Sequence, residues 1–132
     1  MKRSAPHRRA QAGMSMIELL AAVLLVSFGI LGLLSLVSRA TQASVGSEDN
    51  LRAALLANEM ATIMWNAGTV SVPAATVSAW STQRVSSTAN PAGGLAGGSG
   101  TVVVASGIAR VTVSWTTPSG QARQYKTDVV IP

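Results

Sequence analysis

The sequence contains no cysteine and has a single histidine, His7, close to its beginning. The absence of cysteine excludes disulfides and thiolate metal sites, but it does not identify a compartment, because many exported proteins also lack cysteine. A chain that began after His7 would have no imidazole either, which excludes the usual zinc sites and the Ser-His and Cys-His nucleophile systems. We therefore expect no metal, no cofactor and no catalytic residue.

Acidic residues are also scarce, with five in the whole chain. Glu48 and Asp49 are adjacent in sequence, and adjacent residues on a helix do not converge on one face. No pair of acids has the spacing that general acid–base catalysis needs. The sequence therefore favours a structural or binding protein over an enzyme.

The positive charge is concentrated at the beginning of the chain. The formal net charge is +5, but Lys2, Arg3, Arg8 and Arg9 all precede Met14. Without that segment, six basic residues would stand against five acidic ones. No basic patch interleaved with aromatic residues would remain, so we expect no direct nucleic-acid partner.

An uncharged, largely apolar run extends from Leu19 to Val37. As a helix with a rise of 1.5 Å per residue, it would be about 28 Å long, which is close to the hydrocarbon thickness of a bilayer. Because basic residues precede the run and only Arg39 follows it closely, the positive-inside rule predicts a cytoplasmic N-terminus and an exported remainder. The run therefore predicts a membrane-spanning helix.

Three kinds of N-terminal segment contain such a run. A secretory signal peptide is cleaved after its apolar stretch at small residues, yet Ala10-Gln11-Ala12 precedes the stretch, and Ser38-Arg39-Ala40 is the best candidate beyond it. A plain membrane anchor is not cleaved. The third kind is a leader that is cleaved before the apolar run.

Glu18, at the edge of the run, bears on this choice. An ionised carboxylate costs about 2.5–3.5 kcal/mol at the centre of a membrane and less near the interface. In one interpretation, Glu18 lies at the interface and reaches water. In the other, cleavage before Met14 creates a new amino terminus four residues from Glu18, and the α-ammonium of a neighbouring subunit neutralises the carboxylate when helices pack together.

The segment 13–20 (GMSMIELL) resembles the class III signal of type IV prepilins. Members of that family carry a basic leader that ends in Gly, then an apolar residue, and a Glu four positions further on. The resemblance implies that a membrane prepilin peptidase cleaves after Gly13 and N-methylates the new N-terminus, Met14. It also implies that Glu18 serves assembly. Met14 departs from the Phe that is usual at its position.

Other segments resemble PilV-type minor pilins, the pilus modification proteins. They are residues 55–65 (LLANEMATIMW), residues 111–116 (VTVSWT) with the Pro-Ser-Gly-Gln turn that follows, and residues 29–33 (GILGL). The resemblance implies a minor pilin that helps to prime a type IV pilus in a tip complex, in support of adhesion, twitching motility or DNA uptake. The implied partners are other minor pilins, the major pilin, the prepilin peptidase, the inner membrane and a tip adhesin.

The same leader occurs in related proteins, so two alternatives stay open. One is a minor pseudopilin of a type II secretion system (I-type). The other is a membrane-anchored periplasmic binding module with a ligand site in residues 66–100. In each case we expect a single-pass protein of the bacterial inner membrane with a periplasmic C-terminal domain; a pilin would then move into the pilus at the cell surface.

The rest of the chain predicts a small domain. Apolar residues at helical spacing predict an amphipathic helix that ends near Trp65-Asn66, with Gly68 as its C-terminal stop; they are Leu51, Leu55, Leu56, Met60, Ile63 and Met64. We expect a loop region next, with a short strand around Val77–Val85 and a flexible glycine-rich surface loop over 93–100. Alternation of Val111, Val113 and Trp115 with polar residues predicts a half-buried strand. Pro118-Ser119-Gly120 predicts a turn, and a last strand follows.

These features together predict an α+β, pilin-like fold, in which the second half of a long N-terminal helix packs on a small antiparallel sheet. The first half spans the membrane. The predicted divisions are a cleaved basic prepilin leader (1–13), a transmembrane and assembly helix (14–39), an amphipathic periplasmic helix (40–66), a variable Gly/Ser/Pro loop region (67–100) and an antiparallel β-sheet (101–132).

Overall fold

A computed structural model describes residues 14–132 of the chain. The predicted leader and its cleavage site at Gly13 lie outside the described residues. The elements are helix α1 (Met14–Ala67), helix α2 (Ala74–Trp80), a π-helical turn (Ser81–Val85) and strands β1 (Ser99–Ala105), β2 (Ile108–Thr116) and β3 (Ala122–Val130). The chain divides into two compact units after Gln42, and each unit is described by itself.

The first unit contains the apolar beginning of α1. Its sequence is rich in Leu, a strong helix former, and the first proline after Met14 is Pro73. Helix α1 runs through the whole of this unit from Met14. The predicted long apolar N-terminal helix is therefore confirmed. Gly29 and Gly32 do not interrupt the helix, since α1 is continuous through both; a Cβ added at either would meet nothing within 4 Å.

The second unit begins with the amphipathic end of α1. The side chains that it buries recur at a spacing of three or four residues, as one helix face requires; they are Ala53, Leu56, Ala57, Met60 and Met64. The predicted stripe was wrong at Leu51 and Leu55, which are 66% and 69% exposed. Both leucines lie on a different face of the helix from Ala53, Ala57 and Met60. Ala53 and Ala57, not the two leucines, are therefore buried in the core.

The C-terminal end of α1 has the predicted glycine stop. Gly68 has a φ of +65°, a conformation that a residue with a Cβ rarely adopts. Its N–H donates to the carbonyl of Trp65, and the N–H of Thr69 donates to the carbonyl of Met64. This pair of bonds is the Schellman motif, which satisfies carbonyl groups that the helix itself leaves without a partner.

Within residues 14–132, a three-stranded antiparallel sheet has the order β1-β2-β3. Val111, Val113 and Trp115 are buried on the face that packs against α1, while the residues between them are exposed or half-buried, so the predicted alternation is confirmed. The predicted turn is also confirmed, because the N–H of Gly120 donates to the carbonyl of Thr117.

The strand that was predicted around Val77–Val85 was wrong. That segment is helix α2 followed by the π-helical turn. Pro73 has an extended conformation, and its carbonyl accepts hydrogen bonds from the N–H groups of Thr76 and Val77, which starts the helix. The helical conformation carries Trp80 and Val85 into the core, so tertiary packing outweighs the strand preference of the valines.

The glycine-rich segment is packed, contrary to the prediction of a flexible surface loop. Gly94, Leu95 and Gly100 are buried. A Cβ atom on Gly100 would collide with the indole ring of Trp80. Glycine is therefore needed at position 100 because the ring lies directly against the backbone of β1.

The core of the second unit lies between the end of α1, α2 and the sheet. It consists of Ala53, Leu56, Ala57, Met60, Met64, Trp80, Val85, Leu95, Ala109, Val111, Val113, Trp115 and Val129.

Candidate functional site

The first candidate site is the beginning of α1. Met14 is the first residue of the helix, and Glu18 follows one turn later. Residues four apart lie on the same face of a helix, so the two positions that sequence reasoning singled out share one face. Glu18 is exposed, and it is the only charged residue between Met14 and Ser38.

The surface around Glu18 is apolar on every side of the helix. Between Met16 and Val37, each large hydrophobic side chain is at least half exposed, from 52% at Ile30 to 73% at Leu25. A helix that is apolar all round is stable in lipid or among other helices, but not in water. Among the described residues, one helix is long and apolar enough to cross a membrane.

Two hydroxyl side chains of α1 bond to the backbone of the helix itself. The hydroxyl of Ser27 donates to the carbonyl oxygen of Val23 at 2.8 Å. Thr41 does the same to Val37 at 2.9 Å. Because such bonds satisfy the hydroxyl proton without water, these side chains are compatible with an apolar environment. Within residues 14–132, the carboxylate of Glu18 has no hydrogen bond or ion pair of this kind.

The second unit carries exposed ion pairs. Arg84 donates to Glu59 from Nε at 2.7 Å and from Nη2 at 3.2 Å, which joins the π-helical turn to α1. The hydrogen bonds and the charge of Glu59 raise the pKa of Arg84. Such exposed pairs contribute little to stability. We interpret this one as a contact between the π-helical turn and α1, and not as a binding or catalytic site.

The sheet has a similar pair across β2 and β3. Arg110 and Asp128 are directly opposite in the register, and two N–H groups of Arg110 donate to the two carboxylate oxygens of Asp128 at 2.8 Å. These hydrogen bonds, helped by the positive charge of Arg110, lower the pKa of Asp128. Within residues 14–132, no group of three or more His, Cys, Asp and Glu side chains could hold a metal ion.

A groove of about 490 Å³ runs between β1 and the segment 70–82. Its wall includes Val70 and Val72 before α2, Val77 on α2, and Val102 and Val104 on β1. Sequence reasoning missed this groove because the segment was predicted as a loop with a strand. Val77, Trp80 and Arg84 are spaced by three and four residues. That spacing was the signal in the sequence that this segment is helical.

Comparisons with models of protein families, with curated protein sequences and with solved structures find no significant match to the chain. What the chain does must therefore be argued from its own residues.

Proposed function

We propose that this chain is a minor pilin of a type IV pilus, a structural subunit that helps to prime pilus assembly. The observation that carries the proposal is the position of Glu18, which lies one turn after Met14 and is the single charged residue of α1 between Met14 and Ser38. A long apolar helix joined to a small antiparallel sheet is also the layout that a pilin-like chain requires.

The proposed mechanism is pairing of charges between subunits. A carboxylate in the membrane costs about 2.5–3.5 kcal/mol at its centre. An ammonium group about 4 Å away offers about 4 kcal/mol of attraction at an effective dielectric constant of about 20. Glu18 lies at the edge of the apolar run, where the cost is below the value at the centre. A neighbouring α-ammonium at Met14 would therefore offset the penalty at Glu18 and favour helix association over isolated subunits.

The mechanism requires processing before assembly. Met14 has an α-ammonium group only after the bond that follows Gly13 is cleaved. Cleavage also removes Lys2, Arg3, Arg8 and Arg9, which hold the N-terminus at the cytoplasmic face of the membrane. We therefore propose a prepilin peptidase as the first partner, with N-methylation of Met14, and incorporation into the filament as the later step.

In this proposal the protein first crosses the inner membrane once, with its C-terminal domain in the periplasm. It then joins other minor pilins in a complex at the tip, next to the major pilin and a tip adhesin. The apolar side chains from Met16 to Val37 would exchange lipid for the helices of neighbouring subunits. The complex would support adhesion, twitching motility or DNA uptake.

The assembly role is tested by a Glu18→Gln variant in a bacterium that produces type IV pili. We expect the variant to be cleaved normally but to be depleted at least about tenfold from the sheared filament fraction, since each 1.4 kcal/mol of lost pairing changes an equilibrium tenfold. Glu48→Gln is the matched control, because Glu48 lies on the same helix beyond the apolar run and pairs with Arg52.

Incorporation of Glu18→Gln at the level of the unchanged chain would contradict the pairing mechanism. If the unchanged chain is cleaved but enters a type II secretion filament instead of the pilus, it is an I-type minor pseudopilin. If it stays in the membrane uncleaved, it is a membrane-anchored periplasmic binding module, and the assembly role is wrong.

A further inference from the structure

One stretch of α1 lies between the apolar run and the core of the second unit. The run ends at Val37, and the first α1 side chain of the core is Ala53. We call residues 41–50 between them the junction segment; the boundary of the two compact units, after Gln42, falls within it. Seven of its ten residues are exposed and three are half-buried. Because helices in proteins are stabilised mainly by packing of one face, the junction segment depends on its own hydrogen bonds.

The junction segment (TQASVGSEDN) is also poor in helix-forming residues. Three of its ten residues, Gln42, Ala43 and Glu48, are strong helix formers. In the next ten residues of α1 (LRAALLANEM), every residue except Asn58 is one. Glycine loses more backbone freedom than other residues when it becomes helical, and Ser, Asp and Asn side chains compete for backbone hydrogen bonds. The junction segment therefore has a weaker intrinsic preference for helix than the part of α1 that follows it.

Side-chain interactions within the junction segment are local and weak. The amide Nδ2 of Asn50 donates to the carbonyl oxygen of Gly46 at 2.8 Å. A side-chain bond of this kind competes with the backbone ladder of the helix for the same carbonyl group. The ion pair of Glu48 and Arg52 has the opposite effect, but it is an exposed pair and contributes little.

The glycines of the apolar run differ from Gly46 in their surroundings. Gly29 and Gly32 lie within the uncharged run that ends at Val37. In lipid or detergent, a backbone group that leaves the helix finds no water to bond, so the helix stays closed there in spite of its glycines. Gly46 lies beyond the run, where water can bond the backbone groups that opening would release. Opening is therefore easier at Gly46 than at Gly29 or Gly32.

We propose that the junction segment is a hinge in α1, where the helix opens locally while the helix on either side stays closed. Low local stability of this kind is typical of the segments that move in proteins. Opening would let the second unit move independently of the apolar helix. The inference goes beyond the proposed function, because it does not depend on the chain being a pilin, and its test changes neither Gly13 nor Glu18.

The first measurement is amide hydrogen exchange of the full chain in detergent micelles. The rate at each amide is divided by its intrinsic rate, so that sequence effects on the chemistry are removed. We expect protection over residues 41–50 to be at least about tenfold lower than over residues 19–37 and 53–64. Detergent protects the first of these flanking ranges, and the buried side chains of Met60 and Met64 protect the second.

The second measurement is cleavage of the same protein by a protease that cuts after glutamate. Glu48 lies in the junction segment, whereas Glu59 lies between the buried residues Ala57 and Met60 of the same helix. A protease cuts a helix only where the helix opens, and its rate follows the population of the open form. We expect cleavage after Glu48 to be at least about tenfold faster than cleavage after Glu59.

A triple variant makes the test specific. Ser44→Ala, Gly46→Ala and Ser47→Ala together raise the helix propensity of the junction segment; both serines are exposed, and a Cβ at Gly46 would meet nothing within 4 Å. We expect exchange over residues 41–50 and cleavage after Glu48 to slow by about tenfold. The matched control is Gly29→Ala, which makes the same change in the apolar run and should leave both rates as they are.

Any one of three results would overturn the proposal. The first is equal protection over residues 41–50 and 53–64 in the unchanged chain. The second is cleavage after Glu59 that is as fast as cleavage after Glu48, since that result would place the opening in the core-backed part of α1 as well. The third is a triple variant with the rates of the unchanged chain, because the hinge would then not arise from the weak helix preference of these residues.

Discussion

The indole N–H of Trp80 donates a hydrogen bond of 3.2 Å to the backbone carbonyl oxygen of Leu56, a residue 24 positions earlier in the chain. Trp80 ends α2, and Leu56 lies in the amphipathic part of α1. Both side chains are buried. The bond therefore ties the helical segment that forms one wall of the groove to the helix that carries the core.

We expect Trp80→Phe to lower the free energy of unfolding by about 1 kcal/mol more than Trp115→Phe. Both changes remove similar buried area, but only the first removes a hydrogen bond. The indole nitrogen of Trp115 is buried and has no hydrogen-bonding partner among residues 14–132. Chemical denaturation followed by the fluorescence of the remaining tryptophans measures the difference. Equal losses in the two variants would show that the Trp80 bond contributes nothing.

Two glycine-to-alanine substitutions should have opposite effects. Gly100→Ala would place a Cβ in the ring of Trp80, and we expect a loss of about 1–3 kcal/mol, typical of overpacking. Gly46→Ala is the control, because Gly46 is helical and a Cβ added there would meet nothing within 4 Å. There alanine should stabilise the helix by about 0.5–1 kcal/mol. Thermal unfolding compares the two, and a neutral Gly100→Ala would contradict the close approach of the ring.

The sequence predicted those elements whose signals are local. Gly68 stops α1 because the stop depends on the backbone of the glycine itself, and Val111 alternates with polar neighbours because a strand has a period of two. Helix α2 was missed because its conformation depends on the burial of Trp80 against Leu56, a contact distant in sequence. The glycine-rich segment was misread for the same reason, since glycine there serves close packing against Trp80.

The candidate functional features also divide into one with a local sequence signal and one that depends on contacts distant in sequence. Glu18 is visible in the sequence as a lone charge in an apolar run, and α1 needed only to be continuous for Met14 and Glu18 to share a face. The groove beside Val102 and Val104 could not be predicted. It depends on which side of β1 pairs with β2, and on a wall formed by Val70 and Val77.

The pair of Arg110 and Asp128 gives a pH-dependent prediction. Asp128 should titrate below the value of about 3.9 that is usual for a free Asp side chain. Because its pKa is lowered in the folded state, the small stabilisation from the pair is complete above the unfolded pKa. It is lost as the pH falls through the folded pKa.

An NMR titration of the Asp128 carboxyl carbon measures this shift. Arg110→Gln should raise the pKa of Asp128 toward its usual value, and Arg123→Gln, which changes another arginine of the same sheet, should leave it unchanged. An identical pKa in the unchanged protein and in Arg110→Gln would contradict the assignment of Arg110 as the cause.

The most direct test of the pilin proposal is the intact mass of the protein extracted from membranes of a host that has a prepilin peptidase, compared with a host that lacks one. We expect the first host to yield a chain that begins at Met14, with or without one added methyl group, and the second host to yield the full-length chain. A full-length mass in both hosts, or a chain that begins near Ala40 or beyond, would contradict processing at Gly13 and with it the assembly mechanism.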